Sequence, residues 1–575
     1  MRVQQDPRYW QQLVRQSRAL AEAQLDGGPS PDLQPRPTLP SPPVRRKLKR
    51  DWSVNMGSGA TVGAGQYPAK FSFNPTAAPS CSNDFVVFNT SMAGSGTQAS
   101  IIAYSNLYVG CTVPVPAVNW AYNTGGSIST SVALSLDGTQ VAFVQTPAAG
   151  SVQLVLLKWK ASSTESASAP LTLSSTAAGS YRACAAPCMT TLTFVNGPSE
   201  SGTLTDANSS PYYDFSAGAD ADTLYVGDDQ GYLHQFTGVF SGTPAETNTA
   251  TASAGWPSRA ATAPLSSPVF DPGSGNVFVA ASWKQSVNSG GRLHAICVTA
   301  ICGAASTTAG TPNVSSKILG PANAGTANTC HTESSGNAAN STMRVDTPLV
   351  DSGAQMVYVF MGNDGTGSSA VYQFSTSQSS ISGSCGTETT IGTVAAANPD
   401  FAVLAGAFDN LYFSSSGTSP TGNLYVCGNT VGVPTLYQIG ITSNVMAASG
   451  TSVLAVATAN TSCSPVTEVF SSAKDWVFLS VQSLGSTGAA VKCPSNTGCL
   501  MSFSVPTTVG GSLPTTTTAA IAEAGGTSGL VIDDTVTSSS LTAAQVYFSP
   551  LSNQLCTTSA TTGGCAVQAS QSALH

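Results

Sequence analysis

One hydrophobic pattern recurs along the chain at intervals of about fifty residues, which is a repeat length typical of propellers and arrays. Each copy opens with small residues and proline, enters an apolar strand, turns at an acidic residue or glycine, and continues into a second apolar strand. The clearest copies begin at Ser209 (SSPYYDF, then TLYVGDDQGYLHQF) and at Ser266 (SSPVFDPGSGNVFVAA, then GGRLHAICV). Several short strands in each copy predict a β-propeller.

Eight apolar cores rich in β-branched and aromatic residues predict the buried central strands of this array. Most follow a turn rich in Asp, Gly, Asn or Ser, and most precede a second strand. The cores are 85–88, 141–144, 224–227, 277–280, 357–360, 411–414, 477–480 and 546–549. They predict an all-β fold, a single propeller of eight blades, and seven blades is the close alternative. Closure of the ring would remove two open sheet edges.

A helical pattern stands apart at the N-terminus, over residues 7–25, with its apolar residues on one narrow side. It ends at an Asp-Gly-Gly stop and leads into a segment rich in proline and then in basic residues. We therefore predict an amphipathic helical arm over 1–27, a linker over 28–50 and the propeller over 51–575. A narrow apolar face favours docking or mobility of the arm over membrane contact.

The chain is poor in charge, with 9% Asp, Glu, Lys and Arg, against about 25% in an average protein. Residues 1–50 hold ten basic and four acidic groups, whereas the remainder holds 11 basic and 25 acidic groups. A body this acidic excludes nucleic-acid binding by phosphate neutralisation. The basic run at 45–50 could touch an anionic lipid or phosphate, but a solvated linker is favoured.

The fourteen cysteines predict disulfides and an oxidising compartment. Metal binding is the weaker alternative, because the chain has four His and no C-x₂-C spacing. Pairing in sequence order is the simplest scheme, although the sequence leaves the connectivity open. In that order the cysteines are Cys81, Cys111, Cys184, Cys188, Cys297, Cys302, Cys330, Cys385, Cys427, Cys463, Cys493, Cys499, Cys556 and Cys565.

The sequence shows no export signal after Met1 and no apolar run long enough to span a membrane. Because disulfides imply export, we expect that a leader lay upstream or was removed. The expected location is extracellular, at the cell surface or periplasmic.

Acidic residues crowd the third apolar core, and four of them are weak candidates for a calcium site: Asp220, Asp222, Asp228 and Asp229. A hairpin turn is the favoured role for Asp228 and Asp229, and the spacing does not match an EF-hand loop. No other metal or cofactor is expected.

Signatures of nucleophilic or zinc-dependent catalysis, such as G-x-S-x-G and H-E-x-x-H, do not occur. His234 and His294 occupy the same position of two repeats, which favours a structural role over a site. His331 and His575 are unconvincing as general bases. Four tryptophans could stack on sugars, but a place in the core is favoured for Trp120, Trp159, Trp256 and Trp283.

The phrase SSPVFDPGSGNVFVAA…GGRLHAI resembles the quinoprotein-type (PQQ-like) propeller repeat. Residues 119–125 (NWAYNTG) are similar to its tryptophan-docking phrase, and LSLDGTQVAF from Leu134 is similar to TolB-type repeats. Residues 51–575 as a whole look like secreted bacterial propeller proteins. Quinoprotein dehydrogenases would imply two adjacent cysteines, an acidic base and a calcium site. This chain has no adjacent cysteines, so the enzymatic role does not carry over.

These observations favour a non-catalytic exported scaffold or binding propeller that presents loops to a protein or polysaccharide partner. One alternative is an enzyme in the central funnel, acting on polysaccharides or as an oxidoreductase. Another is a structural subunit of an extracellular assembly that self-associates through residues 1–50. A funnel lined by Ser, Thr and Gly would favour binding, and converging carboxylates or a His would favour catalysis.

Overall fold

The computed structural model describes residues 48–72, 79–215, 222–249, 255–281, 291–302, 312–319, 346–364, 367–394, 402–471, 473–487, 490–491, 493, 496–534, 545–557 and 561–571. Within these ranges antiparallel strands dominate and form consecutive meanders of four or five strands. We call each meander a unit and number the units along the chain. The structure confirms an all-β propeller.

The first four units follow strand β1 (Leu48–Gly57). Unit 1 contains β2 (Ala69–Phe71), β3 (Phe85–Asn89), β4 (Ile101–Ser105) and β5 (Ala117–Asn123). Unit 2 contains β6 (Gly126–Ser127), β7 (Ala133–Leu134), β8 (Gln140–Pro147), β9 (Gln153–Lys158) and β11 (Cys188–Thr193), while β10 (Leu171–Thr172) pairs with β5. Unit 3 contains β12 (Tyr212–Asp214), β13 (Thr223–Gly227), β14 (Tyr232–Thr237), β15 (Ala245–Glu246) and β16 (Ser258–Arg259). Unit 4 contains β17 (Val269–Asp271), β18 (Asn276–Ala281), β19 (Arg292–Cys297) and β20 (Asn313–Ile318).

Four further meanders complete the described chain. Unit 5 contains β21 (Leu349–Asp351), β22 (Met356–Met361), β23 (Ser368–Ser375) and β24 (Thr387–Thr393). Unit 6 contains β25 (Ala407–Phe408), β26 (Gly422–Thr430), β27 (Val433–Thr442), β28 (Val445–Met446) and β29 (Thr451–Ala455). Unit 7 contains β30 (Thr467–Ser471), β31 (Lys474–Val481), β32 (Cys499–Val505) and β33 (Ala519–Ala522). Unit 8 contains β34 (Val531–Asp533), β35 (Gln545–Phe548), β36 (Gln554–Leu555) and β37 (Thr562–Gln571).

Helical structure in the described residues is limited to short segments. They are α1 (Ala178–Tyr181), α2 (Gln378–Gly383), α3 (Asn410–Ser414) and a 3₁₀ turn at Ala300–Cys302.

The first strands of the units lie side by side around the ring axis, so we call them inner strands. β2 contacts both β7 and β34, β12 and β21 flank β17, and β25 contacts β30. Apolar clusters fill the spaces between successive units. One of them joins Trp52 and Tyr547 of unit 8 to Phe88 and Tyr104 of unit 1. The units therefore close into a circle, and we retain eight blades as our interpretation.

Closure depends on the strand nearest the N-terminus. β1 pairs antiparallel with β37 from Leu48 opposite Gln571 to Gly57 opposite Gly564, as the outermost strand of unit 8. β1 begins at Leu48, inside the segment assigned to the linker from sequence, so the end of the basic run belongs to the sheet. Arg50 forms an ion pair with the buried Glu523 at 2.8 Å.

Seven of the eight predicted central strands are confirmed, as β3, β8, β13, β18, β22, β31 and β35. The prediction for residues 411–414 is wrong, because these residues form α3. Asp409 caps this helix by accepting a hydrogen bond from the Tyr412 backbone N–H at 3.0 Å. The central strand of unit 6 is instead β26, which the sequence pattern had indicated as a second strand. A local capping contact thus overrides the β propensity of an aromatic segment.

Candidate binding surface

The first serine of the repeated opening phrase fastens the inner strand to the second strand of the same unit. Its hydroxyl oxygen accepts a hydrogen bond from a backbone N–H near the end of the second strand. The four described pairs lie at 2.7–3.0 Å and are Ser209 with Gly227, Ser266 with Ala280, Ser464 with Ser480, and Ser528 with Ser549. The serine that recurs in the sequence therefore makes the same hydrogen bond in each of these four units.

The second serine of the phrase links one unit to the next. Ser131 Oγ accepts from the Tyr67 N–H at 2.8 Å, Ser210 Oγ from the Ser131 N–H at 2.9 Å, and Ser267 Oγ from the Ser210 N–H at 2.9 Å. These half-buried serines stand where the inner strands of units 2 to 4 begin. In this part of the ring, the mouth around the axis therefore presents neutral hydroxyl and peptide groups.

Aspartates close the opposite end of several inner strands. Asp271 accepts hydrogen bonds from the backbone N–H groups of Gly273 and Ser274, and Asp351 from those of Gly353 and Ala354, at 2.8–3.1 Å. These are Asx-type turns, in which the carboxylate orders the hairpin that follows. The acidic residues of the repeat thus have structural partners.

A cleft of about 470 Å³ opens where β1 and β37 of unit 8 meet the loops of units 1 and 2. Its walls include Asn55, Gln98, Ser168 and Thr561, with aliphatic surface from Val54. Among the described residues that line the cleft, none is charged. A volume of this size lies within the range of small-ligand pockets, roughly 300–1,000 Å³. The cleft offers hydroxyl and amide groups as donors and acceptors for a neutral, polar ligand.

The calcium candidates are engaged by donors in the structure. The carboxylate of Asp222 accepts hydrogen bonds from Tyr213 Oη and from the backbone N–H groups of Phe240, Ser241 and Gly242, at 2.5–3.0 Å. Burial raises the pKa of Asp222, but the backbone hydrogen bonds outweigh burial and hold the pKa below its usual value. Because these donors occupy the carboxylate, Asp222 organises the loop that follows β14.

The turn after β13 is the predicted hairpin. Asp228 accepts from the N–H groups of Gln230 and Tyr232 at 3.0 and 2.8 Å, and Asp229 accepts from the Ala207 N–H at 3.1 Å. Asp220 lies outside the described residues. Within the described ranges, no group of three or more His, Cys, Asp and Glu side chains is arranged to hold a metal ion.

His234 lies fully buried between two carboxylates. Its Nδ1 is 2.7 Å from Glu246 Oε1 and its Nε2 is 3.3 Å from Asp228 Oδ2, while the ring of Phe194 packs on the imidazole. Burial lowers the pKa of His234, but Asp228 and Glu246 outweigh burial and raise the pKa to about 9. Burial and the neighbouring Asp228 also raise the pKa of Glu200, in the loop before unit 3.

His294 has the equivalent strand position and the opposite electrostatics. Its Nδ1 contacts Ser316 Oγ at 2.7 Å. Burial, with a smaller effect from Arg292, lowers the pKa of His294 to about 3. Sequence reasoning found both histidines but missed Glu200 and Glu246. These carboxylates lie 34 residues before and 12 residues after His234. Glu246 reaches His234 because β15 pairs with β14, and Glu200 lies in the loop before unit 3.

The remaining candidate residues fall in the core or outside the described ranges. Trp120 and Trp256 are buried, and Trp120 stacks on Tyr122 with ring centroids 5.0 Å apart. Trp159 is half-buried and donates to the Gly138 carbonyl at 2.7 Å. Three further candidates lie outside the described residues: Trp283, His331 and His575.

Disulfide bonding is confirmed for six pairs, which follow sequence order. They are Cys81–Cys111, Cys184–Cys188, Cys297–Cys302, Cys427–Cys463, Cys493–Cys499 and Cys556–Cys565. Cys385 is also disulfide-bonded, and Cys330, its expected partner, lies outside the described residues. Disulfides in this number are typical of an oxidising environment. In the described part of the chain, no helix is long and apolar enough to cross a membrane.

No protein-family model and no curated protein matches the chain. Among solved structures, the chain is similar to Sqt1 from Chaetomium thermophilum, with 11% identity over 91% of this chain and 99% of that chain, and a TM-score of 0.46. It is also similar to Sqt1 from Saccharomyces cerevisiae, with 8% identity over 91% and 98% and a TM-score of 0.41. BamB from Moraxella catarrhalis aligns with 11% identity over 88% and 96% and a TM-score of 0.32. These likenesses carry no information on function.

Proposed function

We propose that the protein is a non-catalytic, exported binding propeller with PQQ-like repeats. In this proposal it acts at the bacterial cell surface or in the extracellular matrix and presents its loops to a protein or polysaccharide partner. The observation that carries the proposal is the cleft between unit 8 and the loops of units 1 and 2. Its walls of hydroxyl, amide and aliphatic groups suit a neutral, hydroxylated polymer better than an anion.

The placement of the titratable groups supports binding over catalysis. The side chains of His234, Asp228 and Glu246 are at most 5% exposed and contact one another. The aspartates of the inner strands order turns through backbone N–H groups. A general acid or base has to reach the substrate, and buried, mutually bonded groups of this kind serve the fold.

Sedimentation with an insoluble neutral polysaccharide tests the proposal. The full chain is mixed separately with microcrystalline cellulose and with chitin, and both the protein left in solution and the reducing ends released are measured. We expect depletion of the protein without release of reducing ends. Release of reducing ends that grows with protein concentration would instead establish the funnel-enzyme alternative.

A bulky substitution in the cleft ties binding to this surface. Ser168 is exposed in the wall of the cleft, and a tryptophan at this position should fill the cleft. The Ser168→Trp variant should therefore lose binding to the polysaccharide and stay in solution. Ser416 is an exposed serine on a loop of unit 6 with a comparable hydroxyl neighbour, so Ser416→Trp is the matched control and should sediment like the unmodified chain. Equal sedimentation of both variants would reject the cleft as the binding site.

A further inference from the structure

The seam between the first and last inner strands holds a buried lysine. Lys70 on β2 and Asp533 on β34 approach to 2.9 Å between Nζ and Oδ2, and their side chains are only 5% and 1% exposed. These strands belong to units 1 and 8, which are joined on the outside of the ring by β1 and β37. The Lys70–Asp533 contact is therefore the closure of the ring near its axis.

A tyrosine and a second carboxylate lie beside this pair, and Lys70 Nζ also donates to Ser72 Oγ at 2.7 Å and to the Phe71 carbonyl at 3.3 Å. Tyr108 Oη lies 2.7 Å from Asp84 Oδ2, 2.9 Å from Asp533 Oδ2 and 3.2 Å from Lys70 Nζ. A hydroxyl has one hydrogen, so Tyr108 can donate to only one carboxylate at a time. Burial, with Asp533 and Asp84, raises the pKa of Tyr108 well above its ordinary value, so the hydroxyl keeps its hydrogen.

An ion pair is a poor final state for this site. Both charges are removed from water, and the desolvation of two ions offsets much of their attraction. Among the described residues, Asp533 Oδ1 has no hydrogen-bond donor. An amide between the two side chains would remove both charges and leave one neutral carbonyl in the same place.

We propose that Lys70 and Asp533 form an intramolecular isopeptide bond that closes the propeller covalently at its first and last inner strands. The ammonium of Lys70 first gives one proton to Oδ2, and the lone pair that this leaves on Nζ attacks Cγ of Asp533. The C–N bond forms, and the bond from Cγ to Oδ2 breaks. The ammonium gives up two protons, and these leave with Oδ2 as one water molecule. The reaction is a condensation and needs no oxidant, reductant or added reagent.

The neighbours supply the proton transfers. One proton passes from Nζ directly to Oδ2 across the 2.9 Å contact. The second passes through Tyr108 Oη, which contacts both Nζ and Oδ2. Oη takes this proton from Nζ as Asp84 accepts the tyrosine proton, and Asp84 returns that proton as Oη gives one to Oδ2, so Tyr108 stays neutral. Folding of the ring holds amine and carboxyl at reaction distance, which replaces a bimolecular encounter by an intramolecular step.

The mass of the uncleaved chain, purified in its folded state, tests the proposal. After reduction of the disulfides and denaturation, the mass of the full chain is expected to fall short of the sequence mass by one water molecule. Digestion should yield one branched peptide that joins the segment around Lys70 to the segment around Asp533. A folded protein with the full sequence mass overturns the proposal, whatever the variants show.

Variants identify the bond and the base. Lys70→Arg keeps the positive charge but should restore the full mass, whereas Lys158→Arg should keep the deficit, because Lys158 Nζ donates to the carbonyls of Tyr181 and Arg182. Asp84→Asn is expected to accumulate the uncondensed chain, and Asp84→Glu to recover condensation. A mass deficit that persists in folded Lys70→Arg would show that the lost water comes from another site.

Discussion

The charge on His234 offers a sharp test of the electrostatics in unit 3. The imidazole lies between Asp228 and Glu246, beneath Phe194, and the same Glu246 accepts a hydrogen bond from the Val195 N–H at 2.9 Å. We predict that His234→Gln loosens the attachment of the loop before unit 3 at acidic and neutral pH. The glutamine keeps hydrogen-bonding capacity but brings no charge.

The magnitude follows from the difference between the folded and unfolded pKa. The pKa of His234 is about 9 in the fold, against about 6.5 in an unfolded chain. The folded state therefore binds the His234 proton more tightly than the unfolded state does, by about 3 kcal/mol. This contribution is fully present below pH 6.5 and is lost as the pH rises through 9. Glu200 also has a raised pKa, so its contribution falls with rising pH as well. Because the charge of His234 lowers the pKa of Glu200, the substitution raises that pKa further.

Hydrogen exchange at the Val195 amide measures the effect when both proteins are compared at the same pH. Since local opening exposes the imidazole to solvent, we expect exchange at pH 6 to be roughly two hundredfold faster in His234→Gln than in the unmodified chain. At pH 9 the ratio should fall to about twofold, because half of the histidines are already neutral.

His294 provides the matched control, because it has the same strand position in unit 4. Its pKa of about 3 means that the folded state holds it neutral, so its effect on stability is a loss below pH 6.5 and none above. His294→Gln should leave Val195 exchange unchanged at both pH values. Equal exchange in His234→Gln and the unmodified chain at pH 6, or a ratio that does not change by pH 9, would refute a charged His234.

Three further changes test the closure and the repeat. Ser464→Ala leaves the buried N–H of Ser480 without its acceptor and should lower the free energy of unfolding by about 1–3 kcal/mol in urea denaturation. Replacement of Cys427 and Cys463 by alanine removes a bridge that closes a loop of 36 residues. The free energy of unfolding should then fall by about 4 kcal/mol in the same assay. An unchanged free energy of unfolding would show that the bridge does not stabilise the fold. A chain that begins at Ser58 lacks β1 and exposes the edge of β37, so it should aggregate in size-exclusion chromatography. A chain that lacks only the residues before β1 is the control and should stay monodisperse. A monodisperse chain from Ser58 would show that β1 is not needed to cover the edge of β37.

Local patterns in the sequence were sufficient for the repeat and for most central strands. Alternating apolar residues and turn-forming aspartates act over a few residues, so their structural roles can be predicted without the fold. The opening serines were visible as a repeated phrase, but their hydrogen bonds reach another strand or another unit. The order of the disulfides was also accessible, because most described bridges join cysteines close in the chain. The failure at residues 411–414 shows the limit, since a cap at Asp409 decided between two structures that the aromatic pattern allowed.

The sequence by itself determined the class of fold and most strand cores, because strand and turn propensities depend on neighbours along the chain. Tertiary structure decided which distant residues meet. It made β1 the outer strand of unit 8, enclosed His234 between two carboxylates, and placed Lys70 against Asp533. The first and last of these contacts join opposite ends of the described chain, the second joins a turn and two strands of unit 3, and the energies of all three depend on burial. Only the closed ring brings such groups together and excludes water from them.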